Sequence, residues 1–153
     1  MAQVGPMRVA LDPAKAQSRV EIRVRFGETD LMGIVHHASY LSYFEAARIA
    51  WLRRRGVTYR SWTERGWHLP VVEASLRYRA PARFEDVVAV NVELADVRSH
   101  SLRFAYVIER DGTKLADGDT RLACVDDRHA LLRIPDELLD VLLRGESAHD
   151  EIN

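Results

Sequence analysis

Hydrophobic and polar residues alternate strictly from Arg19 to Phe26, with Val20, Ile22, Val24 and Phe26 on one side and Arg19, Glu21, Arg23 and Arg25 on the other. A period of two predicts a strand with one buried and one wet face. The pattern then changes. After a loop over Gly27–Ser39, Tyr40, Phe44, Ala47 and Trp51 recur at helical spacing, and Leu41, Ile49 and Leu52 widen the apolar surface. This predicts a helix from Tyr40 to about Arg55 that is apolar on more than one side and therefore enclosed by other elements. Ser39 is the expected N-cap, Arg53, Arg54 and Arg55 suit a helix C-terminus, and Gly56 stops it.

Beyond a short helical turn within Val57–Gly66, period two returns. Val72, Ala74, Leu76 and Tyr78 alternate before Pro81 breaks the run; Val88, Val90, Val92 and Leu94 follow; then Leu102, Phe104, Tyr106 and Ile108, ended by Asp111-Gly112. The last strand runs from about Lys114 to Val125, with Thr120, Leu122 and Cys124 on one face, and a short amphipathic helix closes the pattern near Asp136–Leu143. Short connections are expected to pair consecutive strands antiparallel. One long helix facing one five-stranded antiparallel sheet is an α+β design. It leaves edges and faces that a second copy of the chain would cover economically.

Length and composition narrow the class without naming a chemistry. The 153 residues suit one domain: a loose arm over 1–18, a folded domain over 19–143 and a frayed tail over 144–153. Twenty-two Lys and Arg against 23 Asp and Glu give no basic excess for nucleic acid. No apolar run is long enough to span a bilayer, and Met1–Ser18 lacks the apolar core of a signal peptide, so a cytoplasmic protein is expected. A single cysteine excludes an intrachain disulfide, and its alternation with Leu122 predicts a buried, inert Cys124. His68, His129 and His149 lack metal-ligand spacing, and the side chains of adjacent His36 and His37 are expected to point apart, so neither metal nor cofactor is expected.

The chemistry concentrates in Phe26–Tyr40, a loop feeding a helix. A helix start presents unpaired N–H groups and the positive end of the helix dipole. Such a site can hold a carbonyl oxygen as it gains charge. Asp30 lies just upstream, where a loop can return its carboxylate as nucleophile or as general base for water. Gly33 permits close backbone approach or positive φ. In isolation, a loop aspartate before a helix is usually a solvated cap or turn residue.

The full pattern is more specific. Asp30-Leu31-Met32-Gly33-Ile34-Val35, then His37-Ala38-Ser39-Tyr40 and Phe44-Glu45-Ala46-Ala47-Arg48, resembles the 4-hydroxybenzoyl-CoA thioesterase branch of the hotdog superfamily. Leu69–Glu73, Tyr78–Asp86 and Ala123–Asp126 agree, so the resemblance runs from about Val20 to Pro135. It implies a hotdog fold, a sheet wrapped around the long helix, assembled as a homodimer or homotetramer, and metal-free hydrolysis of acyl-CoA or acyl-carrier-protein thioesters. By the same resemblance Asp30 is the essential carboxylate and His37 supplies the carbonyl-polarising N–H, with a side-chain role also open to it. Gly33, Val35, Tyr40 and Glu45 fall in the substrate region, and Arg98, His100 and Ser101 face the phosphates of CoA. His36 stands where relatives often carry Tyr or Phe. Trp62 and Trp67 lie in the segment that runs near the acyl pocket in relatives. Two other readings stay open here: a hotdog dehydratase or hydratase built on His37 and Glu45, and a non-catalytic acyl-CoA or acyl-carrier-protein binder, which would have little use for Asp30.

Overall fold

The computed structural model describes residues 9–147. Helix α1 (Pro13–Ala16) leads into β1 (Gln17–Arg23), and a 3₁₀ turn (Phe26–Glu28) and a loop precede the long helix α2 (Ser39–Arg53). Helix α3 (Tyr59–Glu64) and strands β2 (Val71–Tyr78), β3 (Val87–Val97), β4 (Ser101–Arg110) and β5 (Thr113–Ala123) follow, and α4 (Asp136–Leu143) closes the chain. The strands form one antiparallel sheet in the order β1-β3-β4-β5-β2; contrary to the expected pairing of consecutive strands, β2 pairs with β5 at one edge while β3 pairs with β1, because the segment between β2 and β3 is a crossover and not a hairpin. The β4–β5 hairpin turns at Asp111 (φ 51°) and Gly112 (φ 80°), the paired positive φ values of a two-residue hairpin loop.

Helix α2 crosses one face of the sheet. It begins beside the end of β2, where the rings of Tyr40 and Tyr78 meet at 5.3 Å, and finishes beside the start of β1, where Trp51 Nε1 donates to the Ala16 carbonyl at 2.8 Å. Its buried stripe is Tyr40, Tyr43, Phe44, Ala47, Trp51 and Leu52. Phe44 stacks flat on Tyr106, centroids 4.1 Å apart and planes 7° apart. Beside this pair lies Gly118, cross-strand from both Tyr106 and Leu76. A Cβ at 118 would come within 2.1 Å of the Ser75 carbonyl oxygen and 3.1 Å of the Phe44 ring.

Helix α2 is not enclosed within one chain, contrary to the expectation from its apolar surface. Leu41 and Glu45 are exposed, and β2 is exposed along its length apart from a half-buried Leu76. Val72, Ala74 and Tyr78 alternate as expected, but α2 has crossed away from the edge they occupy. Phe26 also departs from expectation: β1 ends at Arg23, and Phe26 is 75% exposed in the 3₁₀ turn, edge-on to Phe84.

The loose arm and the frayed tail are corrected where they are described. Asp12 caps α1 through Ala14 N–H, Val9 N–H bonds the Val97 carbonyl, and Ala16 is buried. Arg55 explains why both ends are held. The guanidinium was expected at an open helix C-terminus; instead the residue is fully buried, lies over Trp51 at 3.6 Å and donates to Ser18 Oγ and to the carbonyls of Lys15, Gln17, Trp51 and Arg144. A buried cation needs such a full set of acceptors. Residues 1–8 and 148–153 of the expected arm and tail lie outside the described residues.

Gly118→Ala is expected to destabilise the protein by about 2–3 kcal/mol, since the new methyl meets backbone and an aromatic ring, neither of which can retreat freely. Thermal unfolding of the two proteins side by side measures it.

Candidate functional site

The loop before α2 folds into a tight hairpin. Thr29 bridges Val35, Asp30 N–H donates to the Ile34 carbonyl at 2.9 Å, and Gly33 N–H donates to the Asp30 carbonyl at 2.9 Å. Gly33 has φ of 76°, the left-handed conformation that its lack of Cβ allows. The far strand of this hairpin is pinned to the segment after β2: Ile34 bridges Arg83, and Val35 N–H donates to the Ala82 carbonyl at 2.8 Å.

Asp30 is half-buried. Its Oδ1 accepts the Met32 N–H at 2.8 Å, and among the described residues its carboxylate has no ion-pair partner. One oxygen therefore orients the group and the other stays available. Asp30 lines a cavity of about 340 Å³ together with Met32, Ile34, Val35, His37, Tyr40, Tyr78, Arg79, Ala80 and Pro81. The wall is mostly apolar, with Asp30, the helix start, the Tyr78 hydroxyl and Arg79, which pairs with Asp117, as its polar features, the composition of a small-molecule site.

The helix start is held by Glu28. Its carbonyl accepts the His36 N–H at 2.8 Å and the Ser39 hydroxyl at 3.3 Å, so Ser39 is the first helical residue and not the N-cap. Its carboxylate accepts the Arg25 N–H at 2.7 Å and the Tyr43 hydroxyl at 3.0 Å, tying the loop to the second turn of α2. Burial opposes the charge on Glu28, but the Arg25 N–H, the Tyr43 hydroxyl and the Arg25 guanidinium outweigh it and hold the carboxyl below its usual range. Burial and the Glu28 carboxylate push the Tyr43 phenol up, so it stays a donor. His36 carbonyl accepts the Ser39 N–H at 2.9 Å, and His36 Nδ1 accepts the Ala38 N–H at 3.1 Å. The His37 N–H has no acceptor among the described residues.

Of the residues singled out by sequence, the cavity gathers Asp30, Val35, His37 and Tyr40, with Gly33 shaping its loop. Glu45 is not among them; it is exposed on the open side of α2, and Arg48, three residues on, donates to the Tyr106 hydroxyl at 3.1 Å. Arg98, His100 and Ser101 cluster at the β3–β4 turn, where Arg98 pairs with Asp96 at 2.9 Å. That turn is at the wrong end of the sheet for this chain's own cavity. Tyr78 is in register with Ala116 and Ile108, whereas Leu102, beside the turn, is in register with Leu122. The two rows lie about six residues, roughly 20 Å, apart.

Other expectations change too. The rings of His36 and His37 do not diverge but lie 4.1 Å apart, and His36 is exposed outside the cavity wall. Trp62 is buried, and Trp67 lies under Arg65 at 4.1 Å; both face a different cavity, between α3 and α4. Cys124 is buried as expected, and burial pushes its thiol up to about 11. Alternation with Val72, Ala74 and Leu76 marks Tyr78 only as a strand residue. It lines the cavity and donates to the His37 carbonyl at 2.9 Å. Its place beside Ala80-Pro81 in a segment of the family resemblance was the available signal.

With fold and site in view, comparison with known proteins defines the class. The family model described as "Thioesterase-like superfamily" matches residues 24–142. A putative esterase of Aquifex aeolicus is 33% identical over 120 residues, covering 78% of this chain and 93% of its own. The acyl-CoA thioester hydrolase YbgC of Escherichia coli O157:H7 is 30% identical over 109 residues, covering 71% and 81%. The crystal structure of a hypothetical protein from Thermus thermophilus is 45% identical with a TM-score of 0.78, covering 82% and 95%. The chain belongs to the thioesterase-like superfamily and has its hotdog fold. No helix among the described residues is long and apolar enough to cross a membrane.

The Glu28 clamp predicts a pH effect. Its folded pKa lies below the ordinary 4.5, so on acidification the unfolded chain takes up the proton first. The stability it contributes is complete above its unfolded pKa and is lost as pH falls through the lower folded value. Glu28→Gln should lower Tm near neutrality, and the gap to wild type should narrow on acidification below about pH 4. Thermal unfolding across pH measures both.

Proposed function

We propose that the chain hydrolyses acyl-CoA thioesters, with acyl-carrier-protein thioesters as the alternative form of the same substrate. The observation that carries this reading is the convergence of Asp30, with one carboxylate oxygen unengaged, and the unpartnered His37 N–H on one apolar-walled cavity at the start of α2. The acyl group lies against Met32, Ile34, Val35, Ala80 and Pro81. Its thioester carbonyl accepts a hydrogen bond from the His37 N–H, which strengthens as the oxygen gains charge. Asp30 attacks the carbonyl carbon and water then cleaves the acyl-enzyme anhydride, or Asp30 takes a proton from a water that attacks directly. In both routes the C–S bond breaks and the CoA thiolate leaves. The name of the E. coli relative supports the substrate class. The dehydratase reading loses ground because Glu45 does not line the cavity with His37.

The working unit in this reading is at least a dimer. The exposed β2 edge, its uncovered Val72 and Ala74, and the open α2 side at Leu41 and Glu45 are surfaces a second copy would cover. An antiparallel pair of β2 strands sets Tyr78 of one copy beside Val71 of the other. The register then carries the second copy's Arg98–Ser101 turn to the end of the sheet that holds the first copy's cavity. This is how Arg98, His100 and Ser101 would reach the phosphates of CoA in a neighbouring site.

Thiol release from aliphatic and aromatic acyl-CoAs, followed with a thiol-reactive dye, tests the activity. Wild type should release thiol and Asp30→Asn should be slower by at least about 10²-fold with an unchanged Tm; equal rates would overturn the role of Asp30, and no release from CoA or carrier-protein esters would overturn the activity. Sedimentation should give at least twice the 17.5 kDa of one chain.

A further inference from the structure

We infer that Tyr78 is a positioning residue for the His37 N–H, acting through the His37 carbonyl. The inference rests on the reading of that N–H as the carbonyl-polarising donor. Its starting point is how the chain closes the first turn of α2. Only a helix continued further back than Ser39 would pair the Leu41 N–H with the carbonyl of residue 37. Here it takes the Ala38 carbonyl instead, at 3.2 Å. The His37 carbonyl is left to a side chain from another element, the Tyr78 hydroxyl at 2.9 Å.

The surroundings make that bond consequential. His36 N–H is held by Glu28, the His36 carbonyl by Ser39 N–H, and Ala38 N–H by His36 Nδ1. With the His37 carbonyl held by Tyr78, the one backbone polar group between His36 N–H and Ala38 N–H without an acceptor or donor is the His37 N–H itself. A donor whose neighbours are all fixed does not reorganise when charge develops opposite it. Without the phenol, the Leu41 N–H, four residues on, can compete for the His37 carbonyl. Capture by that donor would rewind the first turn and re-aim the residue 37 peptide.

Tyr78 is also well placed to hold a fixed position. It ends β2 in register with Ala116, and its ring packs edge-on against Tyr40 at 5.3 Å and 75°. Tyr40 packs on Tyr43, whose hydroxyl reaches Glu28. The aromatic row thus joins the end of the edge strand to the clamp on the other side of the same helix start. Tyr78 is half-exposed (51%), so removing its hydroxyl opens no cavity in the core.

The test pairs kinetics with a spectroscopic readout of the donor. Tyr78→Phe should lower kcat for thioester hydrolysis by about tenfold while KM stays within about twofold, a fraction of the 10²–10³ that follows complete loss of an oxyanion donor. Infrared difference spectra would use butyryl- and benzoyl-dethia-CoA, in which a methylene replaces the sulfur and the carbonyl carries ¹³C. Bound to wild type, the carbonyl stretch should be red-shifted from its position in water, and Tyr78→Phe should lose part of that shift. An unchanged kcat, a raised KM at constant kcat, or a full red shift in Tyr78→Phe would each overturn the positioning role. No red shift in wild type would overturn the reading of His37 itself, and this inference with it, whereas thiol release by wild type and its loss in Asp30→Asn judge the thioesterase activity independently.

Discussion

Phe44 lies flat on Tyr106 and against the bare backbone of Gly118, and the position of everything at the start of α2 follows from that seat. A side chain at 118 would have to displace either the Ser75 carbonyl of the neighbouring strand or the Phe44 ring. With no side chain there, the helix settles onto the strands, and its axis runs from the end of β2 to the start of β1. One turn before Phe44 is Tyr40, in the wall of the cavity. One residue before it is Tyr43, whose hydroxyl engages Glu28. Core packing and site geometry are set by consecutive turns of the same helix.

The two ends of α2 are held by different physics. At its start the constraint is a set of short-range polar contacts around Glu28, backbone and carboxylate together. At its end it is a buried guanidinium that draws in carbonyls from α1, β1 and the residues after α4. Both solve one problem: helix termini carry unpaired N–H and C=O groups that need partners when buried. The N-terminal solution leaves the His37 N–H without an acceptor among the described residues, at the cavity. The C-terminal solution accepts Arg55 only because enough carbonyls converge on it.

A single chain leaves a sheet edge, an inner strand face and one side of α2 open, all near one another. The residues that the family resemblance assigns to nucleotide binding sit about 20 Å along the sheet from the cavity, on the end that an antiparallel partner would bring round. The proposed dimer resolves both facts with one operation. It also explains why Glu45, on the open side of α2, finds no partner among the described residues of its own chain.

Element order, the antiparallel character of the sheet and the loop that carries Asp30 are all legible in the chain. Periods of two and three and a half residues, Gly56 at the helix stop and Asp111-Gly112 at the hairpin are local signals, written in neighbouring residues. The Asp30–Val35 motif placed the carboxylate and the helix start together because only six residues lie between Asp30 and His37. Tertiary structure alone decided the rest. The alternation of Val72, Ala74 and Tyr78 marks a strand face, but whether that face is covered depends on the path of α2 across the sheet. Arg55 reads as a solvated helix end until its acceptors arrive from residues 15–18 and 144. Tyr78 lies 41 residues from His37, and its hydroxyl acquires a role only when β2 ends beside α2. A hydrogen bond between distant segments depends on where the backbone carries each partner, and no local pattern contains that information.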